Sequence, residues 1–357
     1  MRICRRASSP SVRWCGSRSG GPGRTDGKIR TSRSPSARTD GEGADSGEDR
    51  QERYAMQIGM IGLGRMGGNM VRRLLDAGHE VVAYDLDAAQ VREAAAAGAK
   101  PAESLDRLVG TLAAPRAVWV MVPHGDPTRR TIDALLPLLE ENDILVDGGN
   151  SRYLDSIEAG ERAAARGVHF LDAGVSGGVW GLAEGYCIMV GGPGPAVDRL
   201  SSIWEALAPP DGFAHVGPGG AGHFVKMVHN AIEYGMLEAV GEGFACLQRS
   251  DFDLDLTQVA DLWQHGSVIR SWLIELLVRA FREEGQGLER IAGYIDDSGT
   301  GRWTIEYAVE KGLPLPAITD AVYARFASRA EDPFAARVIA ALRNQFGGHA
   351  VRSEGDT

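Results

Sequence analysis

Gln57-Ile58-Gly59-Met60-Ile61-Gly62-Leu63-Gly64-Arg65-Met66-Gly67 is a short, mostly apolar run that breaks into three glycines at i, i+2 and i+5. The run reads as a buried strand. The residues after it, to about Ala77, read as a helix that stops at Gly78. Glu80 to Asp85 reads as a second strand. A strand, a GxGxxG turn, a helix and a strand form a unit that takes a dinucleotide. Gly62 permits the tight turn, Gly64 lets a pyrophosphate approach the backbone, and Gly67 lets helix and strand pack closely. The helix N-terminus supplies unpaired N–H groups and a favourable dipole for the anion. Asp85 ends the second strand, where a carboxylate accepts from a ribose 2′-hydroxyl and repels a 2′-phosphate. NAD is therefore expected ahead of NADP. A plainer role for Asp85, as cap of a helix over Asp87–Ala97, is compatible with either cofactor.

The alternation continues outward from this unit. Strands are expected at Ala117–Val122, Asp143–Asp147, Val168–Asp172, Tyr186–Val190 and Phe213–Val216. Helices are expected near Pro127–Leu139, Leu154–Arg166 and Pro195–Leu207. Ligands on such sheets gather at the carboxyl ends of the strands. Three of those ends carry small residues and one polar group: Pro123-His124-Gly125, Gly148-Gly149-Asn150 and Ala173-Gly174-Val175-Ser176-Gly177-Gly178. Each can equally be a simple turn, and His124 a histidine facing solvent. The cofactor is assigned to Gly62, Leu63, Gly64, Arg65, Met66, Gly67 and Asp85, with Val122, Pro123, His124 and Asn150 from the strand ends.

From about Gly220 onward the pattern is helical, near 222–248, 256–264, 267–283, 302–310, 316–329 and 333–345. In the first of these helices Lys226, His229, Asn230, Glu233 and Tyr234 fall at i, i+3, i+4, i+7 and i+8, one narrow face. An amine, an imidazole, an amide, a carboxyl and a phenol are the groups catalysts use. The alternative is a polar face turned to water, although such faces are usually rich in Glu, Lys and Arg pairs. Val225, Val228, Ala231, Ile232, Met236 and Ala239 on the other side read as core. Trp272, Leu273, Leu276, Leu277, Ala280 and Phe281 read as core or subunit interface.

The formal net charge of -10 is uneven. Residues 1–55 hold 12 Lys/Arg and 7 Asp/Glu, so this segment is positive and the rest of the chain is strongly acidic. An acidic body repels nucleic acid, and any anion it binds must meet a local basic pocket. Residues 1–55 have almost no aliphatic side chains and are expected to be disordered. No apolar region follows Arg5-Arg6, which excludes a signal peptide, and translation is expected to begin at Met56. No apolar run is long enough to span a bilayer. Four scattered cysteines suggest neither a disulfide framework nor a metal cluster, and Cys187 and Cys246 are expected as buried thiols in a cytoplasmic protein. The organisation expected is a tail over 1–55, a dinucleotide-binding domain over 56–219, a helical substrate and oligomerisation domain over 220–349, and a disordered end over 350–357.

The GxGxxG turn, the Val175-Ser176-Gly177-Gly178 loop and Lys226 together resemble the β-hydroxyacid dehydrogenase superfamily. His229-Asn230-x-Ile232-Glu233-Tyr234-Gly235 and Asp296-Asp297-Ser298-Gly299-Thr300-Gly301-Arg302-Trp303 narrow the resemblance to its decarboxylating 6-phosphogluconate dehydrogenase family. It runs from Met56 to His349. It implies a Rossmann-type α/β domain followed by an all-α domain. It implies Lys226 as the base for the substrate 3-hydroxyl and Glu233 as the acid that protonates the enediol after CO₂ leaves. It implies that Asn150, Ser176, Gly177, Gly178, His229 and Asn230 hold the sugar acid, and that Tyr234, Thr300, Arg325, Arg343 and His349 hold the phosphate. It implies no metal, and a homodimer or homotetramer whose C-terminal segment reaches the neighbouring subunit's site. Two features depart from the usual pattern: Ser298 stands where a lysine is common, and the helical part lacks the internal duplication. Both resemble a short, NAD-linked branch.

A lysine has an ordinary pKa of about 10.4. To act as a base, Lys226 must be depressed by burial or nearby charge. Two other readings stand beside this one. A 3-hydroxyisobutyrate-type dehydrogenase shares the glycine loops and the lysine. A non-catalytic NAD-binding sensor or assembly protein would have no use for Lys226 and Glu233.

Overall fold

The computed structural model of the chain describes residues 55–330 and 334–347. Residues 1–54 of the expected 1–55 tail, His349 and the expected 350–357 end lie outside them. The first half alternates strictly: β1 (Gln57–Ile61), α1 (Arg65–Asp76), β2 (Glu80–Tyr84), α2 (Ala88–Ala96), β3 (Lys100–Pro101), α3 (Leu105–Thr111), β4 (Ala117–Val120), α4 (Asp126–Leu135), β5 (Ile144–Asp147), α5 (Tyr153–Ala164) and β6 (His169–Ser176). A short turn of helix, α6 (Gly181–Glu184), leads to β7 (Cys187–Gly191); α7 (Gly194–Arg199) and α8 (Ser201–Leu207) lead to β8 (Phe213–Gly217). The eight strands form one sheet in the order 3-2-1-4-5-6-7-8. Every pair is parallel except β6 with β7.

The sheet is apolar on both faces because helices cover both. Ile58, Met60, Trp119 and Val146 point to one side, where Trp119 lies 5.5 Å from Trp204, which stacks on Phe213 at 5.2 Å. Ile61, Val118, Val120 and Leu145 point to the other, against Leu108, Ile132 and Leu135. This is a Rossmann-type α/β domain, and the rest of the described chain is helical: α9 (Ala221–Gln248), α10 (Leu256–Trp263), α11 (Trp272–Glu284), α12 (Thr300–Lys311), α13 (Pro316–Ala327) and α14 (Phe334–Gly347).

Helix α9 is the member that ties the two parts together. Its N-terminal half lies on the sheet, and Gly222 lets it touch backbone: a Cβ there would come within 2.3 Å of Asp172 O. The buried Asp172 carboxylate caps the helix from outside, accepting from Gly220 N–H at 2.6 Å and His223 N–H at 2.7 Å. Opposite charge at a helix N-terminus is favourable. Its C-terminal half carries α10 and α11 on a separate core of Phe244, Leu256, Ala260, Ile274, Val278 and Phe281.

Several local expectations are corrected. β6 runs on to Ser176, because antiparallel pairing with β7 keeps Ala173–Ser176 extended. The expected single helix over Pro195–Leu207 breaks at Leu200. The helix expected from 267 begins at Trp272, since Ser271 caps it by accepting from Ile274 N–H at 3.4 Å. Cys187 and Cys246 are exposed rather than buried. The face of α9 expected as core is largely open: Ala231 is buried, but Val225, Ile232 and Met236 are exposed, Ile232 by 51%. On α11 the residues that enter the core are Ile274, Val278 and Phe281, while Trp272 is exposed. Among the described residues no helix is long and apolar enough to cross a membrane.

Candidate active site

A cavity of about 1170 Å³ opens at the carboxyl ends of the strands, between the sheet and α9. Its floor is the glycine turn, Gly64 to Gly67. Gly62 takes φ +90°, and a Cβ on it would lie 2.3 Å from Met121 O. A Cβ on Gly67 would lie 1.9 Å from Gly62 O, so neither position admits a larger residue. Above Gly64 the space is open: a Cβ there would meet nothing within 4 Å. Gly64 begins α1 without a side-chain cap, which leaves the first N–H groups for a ligand. These residues fit a pyrophosphate.

Asp85 stands beside this turn. Its Oδ2 accepts from Leu63 N–H at 2.6 Å and its Oδ1 from Asp87 N–H at 2.8 Å. The cap of α2 is Asp87, which accepts from Ala89 N–H at 2.8 Å. The capping role considered for Asp85 therefore falls to Asp87.

The cavity wall brings together most of the residues singled out from sequence. Val122, Pro123 and Asn150 line it from the ends of β4 and β5, and Ser176, Gly177 and Gly178 from the end of β6. Lys226, His229, Asn230 and Glu233 line it from α9. His124 does not face it; its ring meets Trp303 edge-on at 5.4 Å.

Lys226 is 5% exposed. It rests on β6 at Gly174, the residue whose missing side chain makes room for it. Its Nζ lies 3.5 Å from His229 Nδ1, which is 3.1 Å from Asn230 Oδ1; His229 Nε2 is 3.5 Å from Ser176 Oγ. Burial pushes the Lys226 ammonium down to about 8, against the opposing charges of Glu233 and Cys187. No ion pair within 4 Å holds Lys226 among the described residues, so desolvation prevails. An amine at this value is partly free to take a proton near neutral pH.

Tyr234, Thr300 and Arg325 form a second cluster that does not line the cavity. Tyr234 thus leaves the stripe: eight residues on from Lys226 it is turned about 80° round the helix, into the packing of α9 on α12 and α13. Arg325 is 4% exposed, with its guanidinium 3.6 Å over the Tyr234 ring. Its Nη1 donates to Ala321 O at 3.4 Å, and its Nε has no hydrogen-bond partner among the described residues. Tyr234 Oη accepts from Ser298 N–H at 3.0 Å and lies 3.2 Å from Ser298 Oγ, which is 3.0 Å from Thr300 Oγ1. A buried cation among hydroxyls, with no carboxylate paired to it among the described residues, suits an oxyanion. The neighbouring Asp297 is taken, bound by Arg302 at 3.0 Å and Arg329 at 2.9 Å. Arg343 lies exposed on α14.

Sequence reading missed part of the wall. Met121, Val179, Trp180, Trp272, Leu273 and Leu276 also line the cavity. Met121 directly precedes two residues already chosen, which was a usable signal. Trp272 comes from a distant helix, and nothing local marks it. Arg279 sits 4.6 Å over the Trp180 ring and holds α11 against the loop after β6.

A glycine cradle for a pyrophosphate, facing a buried lysine of depressed pKa across one cavity, defines a nicotinamide-linked dehydrogenase. Residues 57–217 match the NAD binding domain of 6-phosphogluconate dehydrogenase, and residues 222–354 match that enzyme's C-terminal domain. The chain belongs to the 6-phosphogluconate dehydrogenase family. It is 48% identical over 302 residues to the NAD(+)-dependent, decarboxylating 6-phosphogluconate dehydrogenase of Haloferax volcanii, covering 84% of this chain and 100% of that protein. Among solved structures it resembles 6-phosphogluconate dehydrogenase of Plasmodium falciparum, with TM-score 0.71 and 27% identity over 84% of this chain and 67% of that one. It also resembles 3-hydroxyisobutyrate dehydrogenase of Mycobacterium tuberculosis, with TM-score 0.63 and 26% identity over 81% of this chain and 99% of that one.

Proposed function

We propose that the chain oxidises 6-phospho-D-gluconate with NAD and releases CO₂, giving D-ribulose 5-phosphate. The observation that carries this reading is the desolvated Lys226, which shares a cavity with the glycine cradle and with Glu233. Bound NAD supplies the hydride acceptor. The glycine turn and Asp85 hold it, and Val122, Pro123 and Asn150 border its path. Lys226 takes the 3-hydroxyl proton as the alcohol becomes a ketone. The lysine, now an ammonium, stays beside the ketone oxygen and stabilises the charge that develops there as CO₂ leaves. Glu233 then gives a proton to carbon. The β-ketone accepts the electrons of the breaking bond.

Asn150, Ser176, Gly177, Gly178, His229 and Asn230 hold the sugar acid in this reading. Tyr234, Thr300 and Arg325 hold the phosphate, supported by the unpartnered Arg325 Nε. Arg343 and His349 complete that subsite from the second subunit of a cytoplasmic homo-oligomer. The division of labour falls between a dinucleotide domain ending near residue 219 and a helical substrate domain after it.

The test is a direct assay. NADH formation and CO₂ release are followed with 6-phosphogluconate, gluconate and 3-hydroxyisobutyrate. Turnover with CO₂ from the phosphorylated acid alone is the expected result. Turnover only on 3-hydroxyisobutyrate would transfer the chain to the other branch, and binding of NADH without turnover of any acid would leave a silent sensor.

A further inference from the structure

Helix α12 carries a line of contacts that the chemistry above does not use. Trp303, Glu306 and Tyr307 fall at i, i+3 and i+4 and share one face. Trp303 meets His124 edge-to-face, with centroids 5.4 Å apart and planes at 86°. Glu306 accepts from Arg152 at 2.9 Å. Tyr307 packs edge-on against Tyr153 at 6.3 Å. His124 follows directly on Val122 and Pro123, and Arg152 comes two residues after Asn150; these three neighbours line the cavity. One face of α12 thus grips the two strand-end loops that border the cofactor's path.

The first turn of the same helix belongs to the oxyanion cluster. Thr300 is bonded to Ser298, and through it to Tyr234, under the Arg325 guanidinium. A Cβ on Gly301 would lie 2.7 Å from Val322 and 3.0 Å from the Tyr234 ring, so there is no slack on this side. Thr304 donates to Met227 O of α9 at 3.3 Å. A helix gripped on both sides would move as one body, so that an anion drawing Thr300 and Arg325 together would displace Trp303 with them.

We propose that α12 couples cofactor binding to binding at the Arg325 cluster, with Trp303 and His124 as the positioning residues that pass the effect on. The proposal rests on the functional reading above, in which that cluster takes the substrate phosphate. The Arg152–Glu306 pair is half exposed and orients more than it stabilises. The aromatic contact carries the coupling, and its loss should change the linkage by about twofold to tenfold.

The experiment measures the NADH dissociation constant of the full chain by fluorescence, with and without saturating 6-phosphogluconate, a pair that cannot react. In the unaltered protein the sugar acid should tighten NADH by about fivefold or more, the lower end of ordinary coupling. Trp303→Leu and His124→Leu should each bring the ratio towards one. Trp303→Phe should keep it, and the double Leu variant should lose no more than either single one. Thermal melts report folding throughout; if Trp303→Leu does not fold, His124→Leu, on an exposed loop, carries the test. A ratio of one in the unaltered protein, or a ratio unchanged in folded Leu variants, overturns the proposal. Turnover of 6-phosphogluconate is read separately. If there is none, the functional reading has failed, and the ratio is measured again with inorganic phosphate, where a value of one again overturns the coupling.

Discussion

A methyl group placed on Gly174 would stand 2.4 Å from the Cβ of Lys226 and 2.7 Å from Gly222 O. Strand and helix therefore meet at the root of the proposed base, and the seat of Lys226 is fixed by backbone on both sides. Gly174→Ala should destabilise the protein by about 1–3 kcal/mol, the ordinary cost of overpacking. It should also lower kcat, because α9 can yield only by moving the amine. Thermal midpoint and kcat, measured together, check both halves. A drop in stability with kcat untouched would show that the position of the amine is not critical.

Lys226→Met should reduce kcat by about 10² to 10⁴, the usual range for a positioned acid–base group, with NADH affinity retained. In the unaltered enzyme kcat/KM should fall as pH drops through about 8, since the base must lose its proton before it can accept one. The Glu233 carboxylate raises the Lys226 value. Glu233→Gln removes that charge, so the acid limb should move to lower pH even as the later protonation step suffers. A limb that moves upward, or stays in place, would contradict this pairing.

Asp85 already receives two backbone N–H groups, from Leu63 and Asp87. On the proposed assignment of Asp85 to the cofactor ribose, its charge opposes a 2′-phosphate, and NAD should exceed NADP by at least about tenfold in kcat/KM. Asp85→Asn should narrow the ratio by weakening NAD and relieving the repulsion against NADP. Equal use of both cofactors by the unaltered enzyme would refute the assignment.

Arg343 on α14 is proposed to act across a subunit boundary. Arg343→Ala should raise KM, since a charge-assisted hydrogen bond contributes about 1.5–3 kcal/mol. At substrate far below the raised KM, where Lys226→Met and Arg343→Ala are each nearly inactive, an equal mixture should restore about one quarter of normal activity if subunits exchange at random into dimers, half of them mixed and each mixed dimer having one intact site of two. Exchange seen by mass with no recovery would place Arg343 in its own subunit's site.

Strand-end positions were the most legible part of this chain. Gly62 to Gly67 and Asn150 follow short apolar runs that alternate with helical patterns and so read as strands, Ser176 closes β6 with Gly177 and Gly178 after it, and a parallel sheet sends its strand ends to one edge. The stripe on α9 was legible as far as Glu233. Tyr234 was misplaced because a stripe drawn on a helical wheel ignores the turn gained over two full turns. Burial was the weakest inference. Val225, Ile232 and Met236 are as apolar as any core residue, and periodicity cannot say whether the surface they face is this chain, a ligand or a second subunit. Trp272 was read as core or subunit interface for the same reason, and its contribution to the cavity depends on where α11 lies in space. The hydroxyl contacts of Ser298 with Tyr234 and Thr300 depend on side-chain geometry that no spacing rule contains.

Arg325 has one more consequence, and it concerns how the protein is handled at the bench. Its Nε is buried without a partner among the described residues, so an oxyanion that binds it would favour the folded form over the unfolded one. Melting temperatures taken in phosphate or sulfate should exceed those taken in an amine buffer with chloride. On the proposed assignment of Arg325 to the substrate phosphate, the buffer anion should compete in every substrate titration. Affinities measured in different buffers would describe different reference states, and an inhibitor screen run in phosphate would overlook weak ligands of that subsite.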